Sequence, residues 1–157
     1  MKLSTLLEQQ GILVPRRSPE ERRKNHLIAT NKMIQQYIKN GSKDDLDLSY
    51  TKITSLPINL TRVGGNLNLR NTPITSLPIN LTHVGGYLDL SYTPITSLPD
   101  NLKVGGHLYL SYTKITSLPD NLRVGGDLDL SYTPLSKKYT DDQLKQLFPN
   151  IKGDIFI

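Results

Sequence analysis

The stretch that decides the fold is LDLSYTKITSLPINLTRVGG, residues 46–65. Nearly the same phrase begins again, at intervals of 20 or 21 residues, at Leu67, Leu88, Leu108 and Leu128. A fixed period of this length indicates a solenoid, in which each turn buries its apolar face only by stacking on its neighbours. Equivalent positions in successive turns therefore form columns on the surface, and function is sought in those columns.

Each unit combines a short strand with a return path that is not a long helix. Leucines alternate with polar residues, as in Leu67-Asn68-Leu69, which predicts parallel strands with one buried face. The proline of the later Ser-Leu-Pro segment lacks the amide that a long helix needs, so the return path is expected to be extended or a single helical turn. The closing Val-Gly-Gly predicts a corner with positive φ or a close backbone approach.

The phrase Leu-x-Leu-x-x-Thr-x-Ile-x-x-Leu-Pro-x-x-Leu, from Leu46 to about Leu135, resembles the short leucine-rich repeat of bacterial proteins. The Ser-Leu-Pro-Asp-Asn-Leu-x-Val-Gly-Gly wording is similar to repeats in bacteriophage and bacterial open reading frames. The resemblance covers roughly three fifths of the chain. It implies an α/β leucine-rich-repeat solenoid with short parallel strands, an extended convex side and capped ends. It also implies a surface that is displayed to protein partners.

One column departs from the family pattern, in which an asparagine ladder is usual. The chain has threonine there, at Thr51, Thr72, Thr93, Thr113 and Thr133. Threonine offers one hydroxyl and a β-branched body, so we expect a ladder with fewer hydrogen bonds and apolar packing.

The sequence predicts three regions: a basic helical arm and cap over 1–43, five repeats over 44–136, and a helix-plus-strand cap over 137–157. In the arm, a capping box at Ser18 with Pro19 starts a helix that stops at Asn40-Gly41. The apolar stripe of this helix is expected to lie on the first repeat, and it consists of Leu27, Met33, Ile34, Tyr37 and Ile38. In the last region, a helix from Thr140 to Phe148 precedes a final strand within 151–157.

Composition narrows the function classes. The chain has no cysteine and three histidines, which excludes disulfides, thiol nucleophiles and cysteine metal sites. The apolar stretches are too short for a signal peptide or a membrane span, so a cytoplasmic protein of a bacterium or host cell is expected. The net charge of +5 is uneven, because residues 1–43 sum to +6 and residues 44–136 to −2.

Polar strand residues that point away from the core define the concave face. Its first column is Asp45, Asn66, Tyr87, His107 and Asp127; its second is Asp47, Asn68, Asp89, Tyr109 and Asp129; its third is Ser49, Arg70, Ser91, Ser111 and Ser131. Since aromatic residues dominate interface energetics, we predict partner binding here, at Arg70, Tyr87, Asp89, His107, Tyr109, Asp127 and Asp129. A solvated sheet face is the alternative.

Two further columns flank this face. The tyrosine column, just past each strand, is Tyr50, Asn71, Tyr92, Tyr112 and Tyr132. Ring stacking that stabilises the ladder is the favoured interpretation, and partner binding at the rim by Tyr92, Tyr112 and Tyr132 is the alternative. The basic column on the return side is Arg62, His83, Lys103 and Arg123. Local ion pairing with Asp100 and Asp120 is favoured there over an anion-binding stripe.

The arm carries cations that do not help its helix. Arg16, Arg17, Arg22, Arg23 and Lys24 cluster around the helix start, where the macrodipole favours acids. A solvated charge run is one interpretation, and contact with nucleic-acid phosphate or an acidic protein is the other.

No catalytic residue, cofactor or metal ligand is predicted. The pair Asp127 and Asp129 offers too few oxygens for calcium, and a flat face has no cleft to shift their pKa values. We therefore expect a non-enzymatic adaptor or inhibitor, monomeric and without a membrane, that docks a protein partner on its concave face. The alternatives are a nucleic-acid-associated protein that uses its arm and a structural subunit of a larger viral particle.

Overall fold

The computed structural model describes residues 18–157, which fall into two compact units divided between Met33 and Ile34. Helix α1 (Pro19–Lys39) starts in the first unit and ends in the second. Its start is the predicted capping box: the Ser18 amide donates to Glu21 Oε2 at 2.7 Å, and the Glu21 amide donates to Ser18 Oγ at 3.1 Å. Its end follows the predicted stop, where Gly41 adopts a φ of 88°.

The end of α1 supplies the cap of the repeat unit. Ile34 is buried, and Tyr37 and Ile38 pack against the core. Of the predicted stripe, Leu27 and Met33 lie in the other unit and are 39% and 45% exposed. The residues that reach the core, Ile34, Tyr37 and Ile38, are spaced i, i+3 and i+4 and therefore share one turn of the helix.

The repeats form two parallel sheets. The first sheet has six strands, ordered β1 (Leu46–Asp47), β3 (Leu67–Asn68), β5 (Leu88–Asp89), β7 (Leu108–Tyr109), β9 (Leu128–Asp129) and β10 (Ile155–Phe156). The second has four strands on the return path, ordered β2 (Arg62–Val63), β4 (His83–Val84), β6 (Lys103–Val104) and β8 (Arg123–Val124). The sequence predicted the first sheet and an extended return path, but not the pairing of the return segments.

The register follows the sequence period. Leu46 pairs with Leu67, Leu67 with Leu88 and Leu88 with Leu108, which are offsets of 21, 21 and 20 residues. Leucine, isoleucine and valine columns fill the space between the sheets, and most of these side chains have no exposed surface. The fold is thus the predicted leucine-rich-repeat-like solenoid of parallel strands with helical ends.

The threonine column makes its hydrogen bonds inside each turn. Each hydroxyl donates to the carbonyl of the leucine three residues earlier, at 2.7–2.8 Å, as Thr72 does to Leu69. The column therefore closes the bend after each strand, and four of its five members are buried.

The repeat glycines permit a close backbone approach. A Cβ added to Gly85 would overlap the carbonyl oxygen of Gly64, and one added to Gly105 would overlap that of Gly85. The expectation of positive φ was wrong for these glycines; in the repeats the left-handed residues are the tyrosine column and Asn101. Glycine is needed here because successive turns lie too close for any side chain.

The C-terminal cap adds a helix and completes the first sheet. Thr140 caps α2 (Asp141–Leu147) through a reciprocal capping box with Gln143, and Leu144 is fully buried. Strand β10 then pairs with β9, and Ile151 bridges to Val124. Within residues 18–157, no helix has the length and apolar character needed to cross a membrane.

Truncation of a central leucine tests the shared core. Leu88 has no exposed surface, so Leu88→Ala should lower the free energy of unfolding by about 2–5 kcal/mol through cavity formation. Ile79→Ala is the control, because Ile79 is 75% exposed and its change should stay within about 0.5 kcal/mol. Chemical denaturation gives both values; similar losses in the two variants would contradict the register.

A methyl group at a repeat corner tests the close approach. Gly85→Ala should cost about 1–3 kcal/mol or more, because the new Cβ meets backbone that cannot rotate away. Ser76→Ala, at an exposed residue of the same turn, should leave the melting temperature nearly unchanged. A Gly85→Ala protein that melts like the parent would show that adjacent turns are farther apart than described.

Candidate functional site

The first column of the concave face is largely a hydrogen-bond ladder between turns. Its polar side chains each accept the backbone N–H of the column residue in the next turn. Asp45 accepts from Asn66 at 2.7 Å and Asn66 accepts from Tyr87 at 2.9 Å. His107 Nδ1 accepts from Asp127 at 3.0 Å, and Asp127 accepts from Asp154 at 2.9 Å. The ladder expected of the threonines thus lies here.

The second column stabilises the end of each strand. Its Asp and Asn side chains accept the backbone N–H two residues later, and Asp89 accepts from Ser91 at 2.8 Å. The same bond is made at 2.9–3.1 Å by Asp47, Asn68 and Asp129. Such bonds are a frequent use of aspartate and asparagine in bends. The predicted site residues Asp89 and Asp129 therefore have a structural role. The second oxygen of Asp89 faces Arg70, and that of Asp129 takes no part in the strand-end bond.

Tyr87 and Tyr109 interrupt these two ladders. Tyr87 stands in the first column and Tyr109 in the second. In each column, all the remaining turns have a side chain that accepts a backbone hydrogen bond. Their rings meet edge to face with centroids 6.1 Å apart, and the His107 ring lies 5.9 Å from Tyr109. The structure thus gathers three predicted site residues into one aromatic cluster on adjacent turns.

The cluster lies in an acidic surround. Burial, followed by the carboxylates of Asp47, Asp45 and Asp89, raises the pKa of Tyr87. The Asp127 carboxylate lies 3.3 Å from His107 Nδ1. The cation on this face is Arg70, whose guanidinium is 3.8 Å from Asp89. The face therefore combines exposed aromatic surface with negative potential.

The tyrosine column is stacked, as the favoured interpretation had it. Tyr92, Tyr112 and Tyr132 lie in nearly parallel layers with centroids 4.5 Å apart. The second turn has Asn71 instead of a ring, and there the Arg70 guanidinium lies 4.7 Å from the Tyr92 centroid. The Tyr50 side chain interacts with Arg70 and is the main cause that raises its pKa. Arg70 therefore bridges the gap in the stack.

Every residue of this column is in the left-handed region, with φ of 54–60°. The conformation is uncommon for a bulky side chain and costs about 1–2 kcal/mol per residue. The backbone N–H groups of the first four column residues bond to the next turn, as that of Tyr92 does to the Ser111 carbonyl at 3.0 Å. The sequence pattern does not indicate this strain, because glycine is the residue expected at a left-handed bend.

The basic column forms the outward side of the second sheet. Arg62, His83, Lys103 and Arg123 are direct neighbours in register, while the valines that follow them point inward. The expected ion pairs with Asp100 and Asp120 are not formed. In the part of the chain that the structure describes, the ion pairs lie elsewhere, at Arg70 and Lys145.

The arm cations are only partly described. Arg22, Arg23 and Lys24 are exposed on the first turns of α1. Arg16 and Arg17 lie outside the described residues. Among residues 18–157, no three histidine or carboxylate side chains meet as metal ligands.

Comparison with known proteins leaves the geometry as the guide to function. No protein-family model matches the sequence, and no curated protein matches it.

Glycine and alanine at position 112 test the strain and the stack together. Both changes remove two ring contacts, worth about 0.5–1.5 kcal/mol each, but only glycine relaxes at a φ of 57°. Tyr112→Gly should therefore be more stable than Tyr112→Ala by about 1 kcal/mol. At the control residue Lys114, which has no positive φ, the order should reverse. Chemical denaturation of the four variants gives their free energies of unfolding. If the alanine variant is the more stable at both positions, the left-handed bend is contradicted.

Proposed function

We propose that this protein is a non-enzymatic binding module, an adaptor or inhibitor, that docks a protein partner on its concave face. The observation that carries the proposal is the interruption of both ladders by Tyr87 and Tyr109. Positions that depart from the structural rule followed by the other repeats are where function is expected. We further propose the bacterial or bacteriophage type of repeat, acting in the cytoplasm of a bacterium or infected cell.

The position of the cluster suits an interface. Tyr87 and Tyr109 are in the third and fourth turns, near the middle of six strands that span on the order of 25 Å. Binding energy concentrates near the centre of an interface and in tyrosine, tryptophan and arginine. Both rings are partly buried, so they are held in place before a partner arrives.

The chemistry of the face favours a basic partner segment. Carboxylates of Asp47, Asp89 and Asp129 surround or flank the cluster and keep one oxygen free of the strand-end bonds. A lysine or arginine side chain could lie over a tyrosine ring and reach a carboxylate at once. The preferred ligand is therefore an exposed loop or helix of a partner that carries arginine or lysine.

A second candidate function is phosphate binding by the arm, within a nucleic-acid complex or a larger viral particle. It is favoured by the exposure of Arg22, Arg23 and Lys24 at a helix start, where cations do not stabilise the helix. Affinity based on phosphate contacts falls steeply as salt rises. Aromatic anchors on the concave face would depend less on salt.

The chain itself suggests the decisive variant. Tyr87→Asn with Tyr109→Asp places in these turns the acceptors that the other turns use, so stability should be kept or raised. Binding should fall at least tenfold, because truncated aromatic anchors cost about 1–2 kcal/mol or more each. The ligands are three peptides of equal length, one rich in arginine, one rich in glutamate and one neutral. Calorimetry measures the affinity of each peptide for the parent protein and for the variant.

The matched control is Asn68→Asp, which makes a consensus exchange on the same face and should leave binding of the arginine peptide intact. Charge reversal of Arg22, Arg23 and Lys24 to Glu should weaken it only modestly. Full affinity in the double tyrosine variant, with loss in the arm variant, would refute concave-face docking and support the second candidate.

A further inference from the structure

The second sheet aligns four cationic or titratable side chains in one row. Parallel pairing places Arg62 beside His83, His83 beside Lys103, and Lys103 beside Arg123. Neighbouring strands are about 4.8 Å apart, so the row spans about 14 Å. The row faces outward because each adjoining valine is buried, with 0–2% of its surface exposed.

Sheet stability does not account for this row. Like charges directly opposite each other on neighbouring strands are destabilising. No carboxylate within the described residues forms an ion pair with the row, since Asp100 and Asp120 line a separate groove. The repulsion between Lys103 and Arg123 is therefore not neutralised by the protein.

A groove runs along the row and is lined by groups that suit an anion. Its larger part, about 470 Å³, is lined by Thr82, His83, Asn101, Lys103, Asn121 and Arg123. A smaller part, about 330 Å³, continues past Thr82 and His83 to Thr61 and Arg62. Guanidinium, ammonium, amide and hydroxyl groups are those that proteins use to hold phosphate oxygens. The lining residues include no carboxylate and no tyrosine, phenylalanine or tryptophan.

We propose that the second-sheet row is a binding site for a linear phosphate chain, separate from the concave face. The donor set favours phosphate over an acidic peptide. A phosphate group has more acceptor oxygens than a carboxylate, and the groove offers it guanidinium, ammonium, amide and hydroxyl groups along one line. Because no tyrosine, phenylalanine or tryptophan lines the groove as a stacking platform, binding relies on phosphate and is independent of base sequence.

The source of the phosphate is a nucleic-acid backbone or inorganic polyphosphate, and the test includes both. Fluorescence anisotropy measures binding of the full chain to a labelled oligothymidylate, with polyphosphate and polyglutamate as competitors. Lys103→Gln with Arg123→Gln should weaken oligonucleotide binding at least tenfold in low salt. The slope of log affinity against log salt should become shallower by about 1.4, from two lost contacts at about 0.7 each.

Charge-matched controls separate the row from net charge. Lys114→Gln with Lys137→Gln removes the same charge from exposed residues outside the groove and should change affinity less than threefold. Asp100→Asn with Asp120→Asn should strengthen binding by reducing nearby negative charge. The row variant should keep or slightly raise its melting temperature, because its side chains point outward and the repulsion between Lys103 and Arg123 is removed.

Three results would overturn the proposal. Equal losses in the row variant and the Lys114 and Lys137 variant would reduce it to a net-charge effect. Loss confined to Arg22→Gln with Arg23→Gln would move phosphate binding to the arm. Competition by polyglutamate that exceeds polyphosphate would indicate an acidic peptide. The Tyr87→Asn, Tyr109→Asp protein should retain phosphate binding, which keeps this test distinct from that of the concave face.

Discussion

Backbone hydrogen bonding between successive turns is the constraint on which the structure depends. Bonds such as Leu67 to Tyr87 at 2.9 Å and Gly85 to Val63 at 2.9 Å repeat along both sheets. They hold the turns about 4.8 Å apart. At that spacing the corners admit only glycine, and the leucine columns close into one core. The same spacing converts any residue repeated in the sequence into a continuous row on the surface.

The rows differ in what they do for the fold. Most polar side chains of the concave face accept backbone N–H groups, within a turn or between turns, and so stabilise the solenoid. Tyr87 and Tyr109 do not continue those ladders, and the second-sheet cations have no pairing carboxylate in the described chain. The repeated positions that depart from their structural use are therefore the most informative about function. The concave face is acidic and aromatic, while the second-sheet row is basic.

The fold was predictable because each turn repeats the same residue pattern. The alternation at Leu67-Asn68-Leu69 and the proline at the return path define strand and connection locally. The caps were equally local, since Ser18 and Thr140 bond to residues only three positions away. The part of the α1 stripe that reaches the core was not predictable, because apolar periodicity along a helix does not show where its burial begins. The left-handed backbone of the tyrosine column was not predicted, because its strain is offset by contacts between turns that the sequence does not show.

The sequence by itself determined the solenoid, its period, its caps and the membership of every surface column, because the period assigns each residue to a row. Only the tertiary structure decided which polar side chains accept the hydrogen bonds of a ladder, as the Asp127 carboxylate accepts from the Asp154 amide. It also decided that the return segments pair into a second sheet and that Lys103 and Arg123 lack a carboxylate partner in the described chain. These outcomes depend on distances between turns, which arise when stacking brings residues 20 or 21 positions apart into contact.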